Sequence, residues 1–158
     1  MDNKLCLYMM IGLPASGKTT CANNIVKTLS GEGRQIVRVS NDSIGKLMTG
    51  HNFCKNAGGF ILASTELFVR YILSQGVNVV LDNTSLTVFS RSKWFDIARE
   101  YNADVIGYFL NLSLDVCIER NKTRKESVPE EVIREMFDKM EIPDNDSECF
   151  ELLRVENR

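Results

Sequence analysis

The stretch Leu7-Tyr8-Met9-Met10-Ile11-Gly12-Leu13-Pro14-Ala15-Ser16-Gly17-Lys18-Thr19-Thr20 decides the fold. An apolar run from Leu5 to Ile11 stops at a glycine, and a loop of small residues then delivers Gly-Lys-Thr into a helical pattern. Gly12–Thr19 fits the spacing G-x-x-x-x-G-K-[ST], a phosphate-binding loop set between a strand and a helix. Gly12 and Gly17 permit backbone conformations closed to residues with a Cβ, so that successive N–H groups can converge on a phosphate. Lys18 is expected to neutralise the β- and γ-phosphates and the Thr19 hydroxyl to bind Mg²⁺. The helix opening near Lys18 adds its positive end. Gly12, Ala15, Ser16, Gly17, Lys18, Thr19 and Thr20 are therefore expected to contact ATP or another nucleoside triphosphate. The competing explanation is a chance match in a glycine-containing turn, and the strand-turn-helix setting argues against it.

Outward from that loop, strands and helices alternate. A helix is expected over Thr19–Leu29, then a strand at Ile36–Val39 closing in Ser40-Asn41-Asp42. Residues 43–58, interrupted by glycines, read as a short helix and a loop. A helix follows from Phe60 to Leu73, then the buried strand Val77–Asp82, a helix over Thr87–Tyr101 and a strand over Asp104–Leu110. Helices are expected over Leu112–Asn121 and from Pro129 to Met140, and Phe150–Val155 could add an edge strand. Trp94 reads as core rather than as a platform for stacking bases. This alternation implies an α/β fold: a parallel sheet of about five strands with helices on both faces, in one domain over residues 1–158. Ligands in such sheets lie at the carboxyl ends of strands.

Composition narrows the class. The chain has 158 residues, 44% hydrophobic and 25% charged, with a formal charge of −2. That charge excludes a broad basic face for coating duplex nucleic acid, so any nucleic-acid contact should be confined to a few phosphates. No apolar run approaches the roughly 20 residues that span a bilayer. Met-Asp-Asn-Lys runs directly into the first strand, so no secretory signal is expected and the compartment should be cytoplasmic. Five scattered cysteines form no C-x-x-C pair, and Cys6, Cys21 and Cys117 read as reduced core residues. With His51 the single histidine, a zinc site has little to draw on.

Chemistry concentrates at the strand ends. Asp82, after Val79-Val80-Leu81, has the form of a carboxylate that holds Mg²⁺, or else of a turn residue closing the strand. Asp42 can accept a proton from a hydroxyl receiving a phosphoryl group, or can cap a helix over Ser43–Met48. Arg120 and Arg124, with Lys122 and Lys125 nearby, can form a lid over a polyphosphate at about residues 120–128, or a solvated helix end.

The order Gly-Leu-Pro-Ala-Ser-Gly-Lys-Thr-Thr, Ser-Asn-Asp, Leu-Asp-Asn-Thr-Ser, Arg-x-x-Trp, Cys-x-x-Arg-Asn-x-x-Arg and Val-Pro-x-x-Val-Ile resembles the P-loop 5′-hydroxyl polynucleotide kinase family, typified by the phage T4 kinase domain. The resemblance covers about residues 5–142. It implies a P-loop kinase fold, ATP and Mg²⁺ as cofactors, and the 5′-hydroxyl of an RNA or DNA end as acceptor. By that resemblance Lys18, Asp42 and Arg124 are catalytic, Asp42 as general base. Arg120 and Arg124 bind ATP phosphates, and Thr19 and Asp82 serve the metal. Thr84, Lys46 and Arg91 would lie toward the acceptor. Two features depart from the family. Several members have an arginine where this chain has Gly45, and none of these 158 residues is expected to form the phosphatase domain that often accompanies the kinase. Asp144-Asn145-Asp146-Ser147 mimics that domain's D-x-D motif but reads as a turn. Gly45 keeps open a small-molecule kinase acting on a nucleoside, nucleotide, sugar or antibiotic hydroxyl. A nucleotide-binding switch is the third class, and Asp42 argues against it.

Overall fold

The structure, a computed structural model, describes residues 4–50, 57–144, 148 and 151–155. In chain order its elements are β1 (Cys6–Ile11), α1 (Lys18–Gly31), β2 (Ile36–Val39), α2 (Asn41–Thr49), α3 (Gly58–Ser74) and β3 (Asn78–Leu81), then α4 (Val88–Glu100), β4 (Asp104–Phe109), α5 (Leu114–Lys122), α6 (Glu130–Asp138) and β5 (Glu151–Arg154). The strands form one sheet in the order β2-β3-β1-β4-β5. Every pair is parallel, with Leu7 of β1 beside Val79 on one side and Val105 on the other.

The central strand is hydrogen-bonded along both edges and covered on both faces, so it shows no surface to water. That is why Cys6–Ile11 is apolar throughout instead of alternating. Its residues still divide by parity. Leu7, Met9 and Ile11 enter a core with Val79, Leu81, Val69, Leu73, Trp94 and Ile97, under α3 and α4. Cys6, Tyr8 and Met10 join Val80 against Ala22, Ile25 and Leu29 of α1. A third cluster of Leu13, Leu86 and Cys117, packed against Leu112, Leu114, Met136 and Met140, gathers just past the end of β1 and seats α5 and α6. Trp94 is core, as its spacing predicts, and Cys6, Cys21 and Cys117 are free thiols, the first and last buried.

Element ends differ from the sequence expectation by a residue or two, and at two of them a capping hydroxyl is the reason. The stretch after Ser40 is helical from Asn41, so Asp42 lies in the first turn of α2 and does not cap it. Ser40 is the cap, accepting the Ser43 N–H at 3.1 Å. Helix α5 starts at Leu114 rather than Leu112, because the Ser113 hydroxyl accepts the Val116 N–H and ends the preceding extended segment. His51, Cys54, Cys149 and most of the expected turn at Asp144–Ser147 lie outside the described residues. Among the described residues no helix is long and apolar enough to cross a membrane.

Candidate active site

Parallel strands bring all their carboxyl ends to one edge of the sheet, and the loops after β1, β2 and β3 meet there. The loop after β1 is built around two glycines. Gly12 has φ +150, and a Cβ there would lie 2.9 Å from both the Leu110 carbonyl oxygen and the Ser16 hydroxyl. Gly17 has φ +99 and opens α1 with no side-chain cap, which leaves the first N–H groups of that helix for a ligand. Ala15 also takes a positive φ, of 61. Thr19 and Thr20 are exposed at the start of α1, whereas Lys18 is buried and its ammonium donates to the Leu13 carbonyl at 2.5 Å. The lysine therefore fills the loop that a polyphosphate would occupy. A helix N-terminus ringed by N–H donors with a buried ammonium beside it favours a multiply charged anion.

The loop after β3 ties the site together. Gly12 donates its N–H to the Thr84 carbonyl at 3.0 Å, joining the phosphate loop to the β3 end. Asn83 accepts the Asn41 N–H at 2.9 Å, and the Asn41 side-chain oxygen accepts the Thr65 hydroxyl of α3 at 2.7 Å. This relay pins the first turn of α2, and with it Asp42, against the sheet. The Asp82 carboxylate is almost wholly buried and accepts from Arg38 of β2 at 2.7 Å. Sequence reasoning missed Arg38, although a lone charge inside a β-branched strand was the available signal.

Charges couple across the cleft. Burial pulls the Lys18 ammonium down to about 8, opposed by the negative charges of Asp82 and Asp42 and aided by Arg124. Burial of its inner side pushes the Asp42 carboxyl above the usual aspartate value, and Asp82 adds to this. Arg124 and Lys18 pull the other way. The carboxylate itself remains exposed at the mouth of the cleft. Lys18, Asp42, Asp82 and Arg124, spread over more than a hundred residues of sequence, thus sit within one another's fields.

Arg120 and Arg124 are exposed at and just beyond the end of α5. Between them, Asn121 is buried and binds both backbone groups of Val128: its amide donates to the carbonyl at 2.7 Å, and its oxygen accepts the N–H at 3.0 Å. The side chain closes residues 121–128 into a ring that carries Arg124 at its edge. Lys46, one turn beyond Asp42, approaches Glu126 of this segment at 3.6 Å. An open groove of about 620 Å³ runs from Gly17, Thr20 and Arg120 along Asn24 toward Tyr108.

Arg91 is not brought to the cleft, contrary to the acceptor role that the resemblance implies. Its guanidinium has no exposure to water, grips both oxygens of Glu148 at 2.6 and 2.8 Å, and donates to the carbonyls of Ser85 and Glu141. With its donors committed inside the protein, it staples the β3 loop to the C-terminal segment.

For a metal, the chain offers an exposed Thr19 hydroxyl and the one Asp82 oxygen not bonded to Arg38. No group of three or more His, Cys, Asp or Glu that could hold a metal occurs among the described residues. A donor set this sparse suits Mg²⁺, which keeps several waters and shares ligands with substrate phosphates.

Comparison with known proteins agrees with this architecture. Over 137 residues the chain is 24% identical to L-seryl-tRNA(Sec) kinase of Methanococcus maripaludis, covering 87% of this chain and 53% of that protein. It is 29% identical over 118 residues to the bifunctional polynucleotide phosphatase/kinase of Schizosaccharomyces pombe, covering 75% and 24% respectively. The chain thus spans about half the length of the first relative and a quarter of the second. A chain of the solved Pnkp1/Rnl/Hen1 RNA repair complex superposes with a TM-score of 0.72 at 23% identity, covering 88% of this chain and 45% of that one. Residues 7–143 match the AAA domain family model, a span that holds the phosphate loop, Asp42, Asp82, Arg120 and Arg124, and the chain belongs to that family.

Proposed function

We propose that this protein transfers the γ-phosphoryl group of ATP to the 5′-hydroxyl of an RNA or DNA end. The carrying observation is Asp42, an exposed carboxylate of raised pKa at the cleft mouth, coupled to Lys18 and Arg124. A protein that only binds nucleotide has no use for a proton acceptor there. In the reaction the acceptor oxygen bonds to the γ-phosphorus while the bond to the β–γ bridging oxygen breaks. The hydroxyl proton passes to Asp42, and ADP departs with the electron pair. Lys18 and Arg124 offset charge on the transferring group, and Arg120 faces the groove that would take the nucleoside. Thr19 and Asp82 would hold a Mg²⁺, which would supply positive charge against the phosphates.

The nucleic-acid acceptor is supported by the polynucleotide kinase relative and by the family motifs quoted above. Lys46 supplies a cation on the acceptor side where Gly45 supplies none. A charge of −2 suits an acceptor gripped by one or two phosphates. The test is transfer of labelled γ-phosphate to 5′-hydroxyl RNA and DNA oligonucleotides. Asp42→Asn should lower the rate about 10²–10⁴-fold with ATP binding intact. No transfer from nucleotide-binding protein to any oligonucleotide overturns the reading. A second acceptor, the serine hydroxyl of an aminoacylated tRNA, is favoured by the 87% coverage against the seryl-tRNA kinase. It belongs in the same screen beside free nucleosides and sugars.

A further inference from the structure

The helix that carries Asp42 has little of its own to hold it. Helix α2 has nine residues, too short to be stable alone, and Gly45 loosens its second turn. Ile44 is its one large buried side chain. Its contact with the segment after α5, Lys46 to Glu126, is an exposed pair at 3.6 Å and fixes little. Among the described residues no hydrogen bond or ion pair holds the Asp42 carboxylate itself. The backbone of the first turn therefore sets its direction, and that turn is held at the residue before it.

The hold comes from α3. There the inward residues Ile61, Thr65, Val69 and Leu73 recur every four positions, and Thr65 is the polar one among three aliphatics. It is fully buried. Its hydroxyl lies 2.7 Å from the Asn41 side-chain oxygen and 2.9 Å from the Ile61 carbonyl, with one proton to serve both. The Ile61 carbonyl already has a donor in the helix's own N–H ladder, so the bond to Asn41 is the one that needs this hydroxyl.

We infer that Thr65 is a positioning residue for the phosphoryl transfer proposed above, its hydroxyl holding Asn41 and, through it, the aim of the Asp42 carboxylate. The inference rests on Asp42 being the proton acceptor. Adjacent residues of a helix point about 100° apart, so fixing the Asn41 side chain on α3 fixes the rotation of the turn and the direction of Asp42. The Asn41 N–H is held in turn by Asn83, next to Thr84, whose carbonyl takes the Gly12 N–H. Asp42 and the phosphate loop are thereby referred to the same short loop, and Thr65 closes this frame on the α3 side.

The geometry sets the size of the effect. In Thr65→Val a methyl replaces the hydroxyl, and a carbon approaches an oxygen no closer than about 3.3 Å. Against the 2.7 Å of the hydrogen bond, the first turn is pushed out by roughly 0.6 Å or let go altogether. A misplacement of about 1 Å can cost about 10²-fold in rate, so transfer should slow about 10–100-fold.

Single-turnover transfer of γ-phosphate to a 5′-hydroxyl oligonucleotide, with ATP affinity read by calorimetry, tests this. Thr65→Val should show that loss of rate with ATP affinity unchanged, while Thr65→Ser, which keeps the hydroxyl and drops the methyl, should run near the wild-type rate. A role in packing alone predicts the reverse order, because valine keeps the buried shape and serine leaves a gap. Asn41→Ala should slow transfer as much as Thr65→Val, and combining the two should cost nothing more. Thr65→Val or Asn41→Ala at the wild-type rate, Thr65→Ser as slow as Thr65→Val, additive losses in the double variant, or an equal loss of ATP affinity each overturn the inference alone. No transfer by the wild-type protein overturns the reading of the site, and the inference with it.

Discussion

Binding of ATP should draw a proton onto Lys18. Its ammonium is buried in the phosphate loop and held at about 8, below the ordinary lysine value of 10.5, chiefly by burial. The gap corresponds to roughly 3 kcal/mol, which a polyphosphate placed beside the ammonium can supply from its own negative charge. If the bound form is fully protonated, uptake per ATP should be about 0.1 proton at pH 7, 0.5 at pH 8 and 0.9 at pH 9. The KM for ATP should rise about tenfold between pH 7 and pH 9 for the same reason. Calorimetry of ATP binding in two buffers of different ionisation enthalpy at each pH reads the uptake directly, because ATP itself no longer titrates above pH 8. The sign for stability follows as well. Between about 8 and 10.5 the unfolded chain, with an ordinary lysine, holds more protons than the folded one. The destabilisation from this buried ammonium therefore shrinks as pH rises through that window. Lys18→Met should abolish both the proton uptake and this gain. Uptake below about 0.1 proton at pH 8.5, or the same uptake in Lys18→Met, would refute the reasoning.

Gly12→Ala should weaken ATP binding at least about tenfold and destabilise the fold by roughly 1–3 kcal/mol, because the new methyl meets the Leu110 carbonyl at 2.9 Å in a strained backbone region; calorimetry and thermal unfolding check it. Arg91→Met should cost about 3–5 kcal/mol by leaving the Glu148 carboxylate buried without its partner, and adding Glu148→Leu should recover much of that in denaturant melts. The Arg91→Met/Glu148→Leu double variant, being folded, should keep its KM for the acceptor, whereas a phosphate-binding Arg91 would raise it. Asn121→Ala opens the ring at residues 121–128, so it should raise the KM for ATP about tenfold and hasten proteolysis between Lys122 and Ser127 while moving Tm little.

The phosphate loop was legible because all its parts are consecutive: two glycines, a lysine and a threonine within eight residues state a backbone path and a charge together. The sheet was legible because buried parallel strands must be apolar: β1 and β3 are such runs, set off by helical patterns, whereas the exposed edge strand β5, Glu-Leu-Leu-Arg, is the least marked. Asp42 lies just past a strand end, as expected, and its competing reading as a helix cap falls to Ser40; the two have similar capping propensity, and only the backbone turn at Ser40 separates them. The arginines expose the limit most clearly. A guanidinium's role is decided by where its counter-ion sits, and sequence does not supply that distance. Arg91 looks like a site residue until Glu148, far along the chain, is found closed around it. Arg38 looks like a strand-edge cation until it is found on Asp82, where it orients the very carboxylate expected to serve the metal. Lys46, placed near the acceptor, spends part of its charge on Glu126. Among the described residues, Arg120 and Arg124 are in none of the ion pairs that claim Arg38, Arg70, Arg91, Arg99 and Arg134. Arg124 instead acts through space on Asp42 and Lys18. Arg120 lines the groove that begins at Gly17, where a phosphate is the anion it would meet under the proposed function.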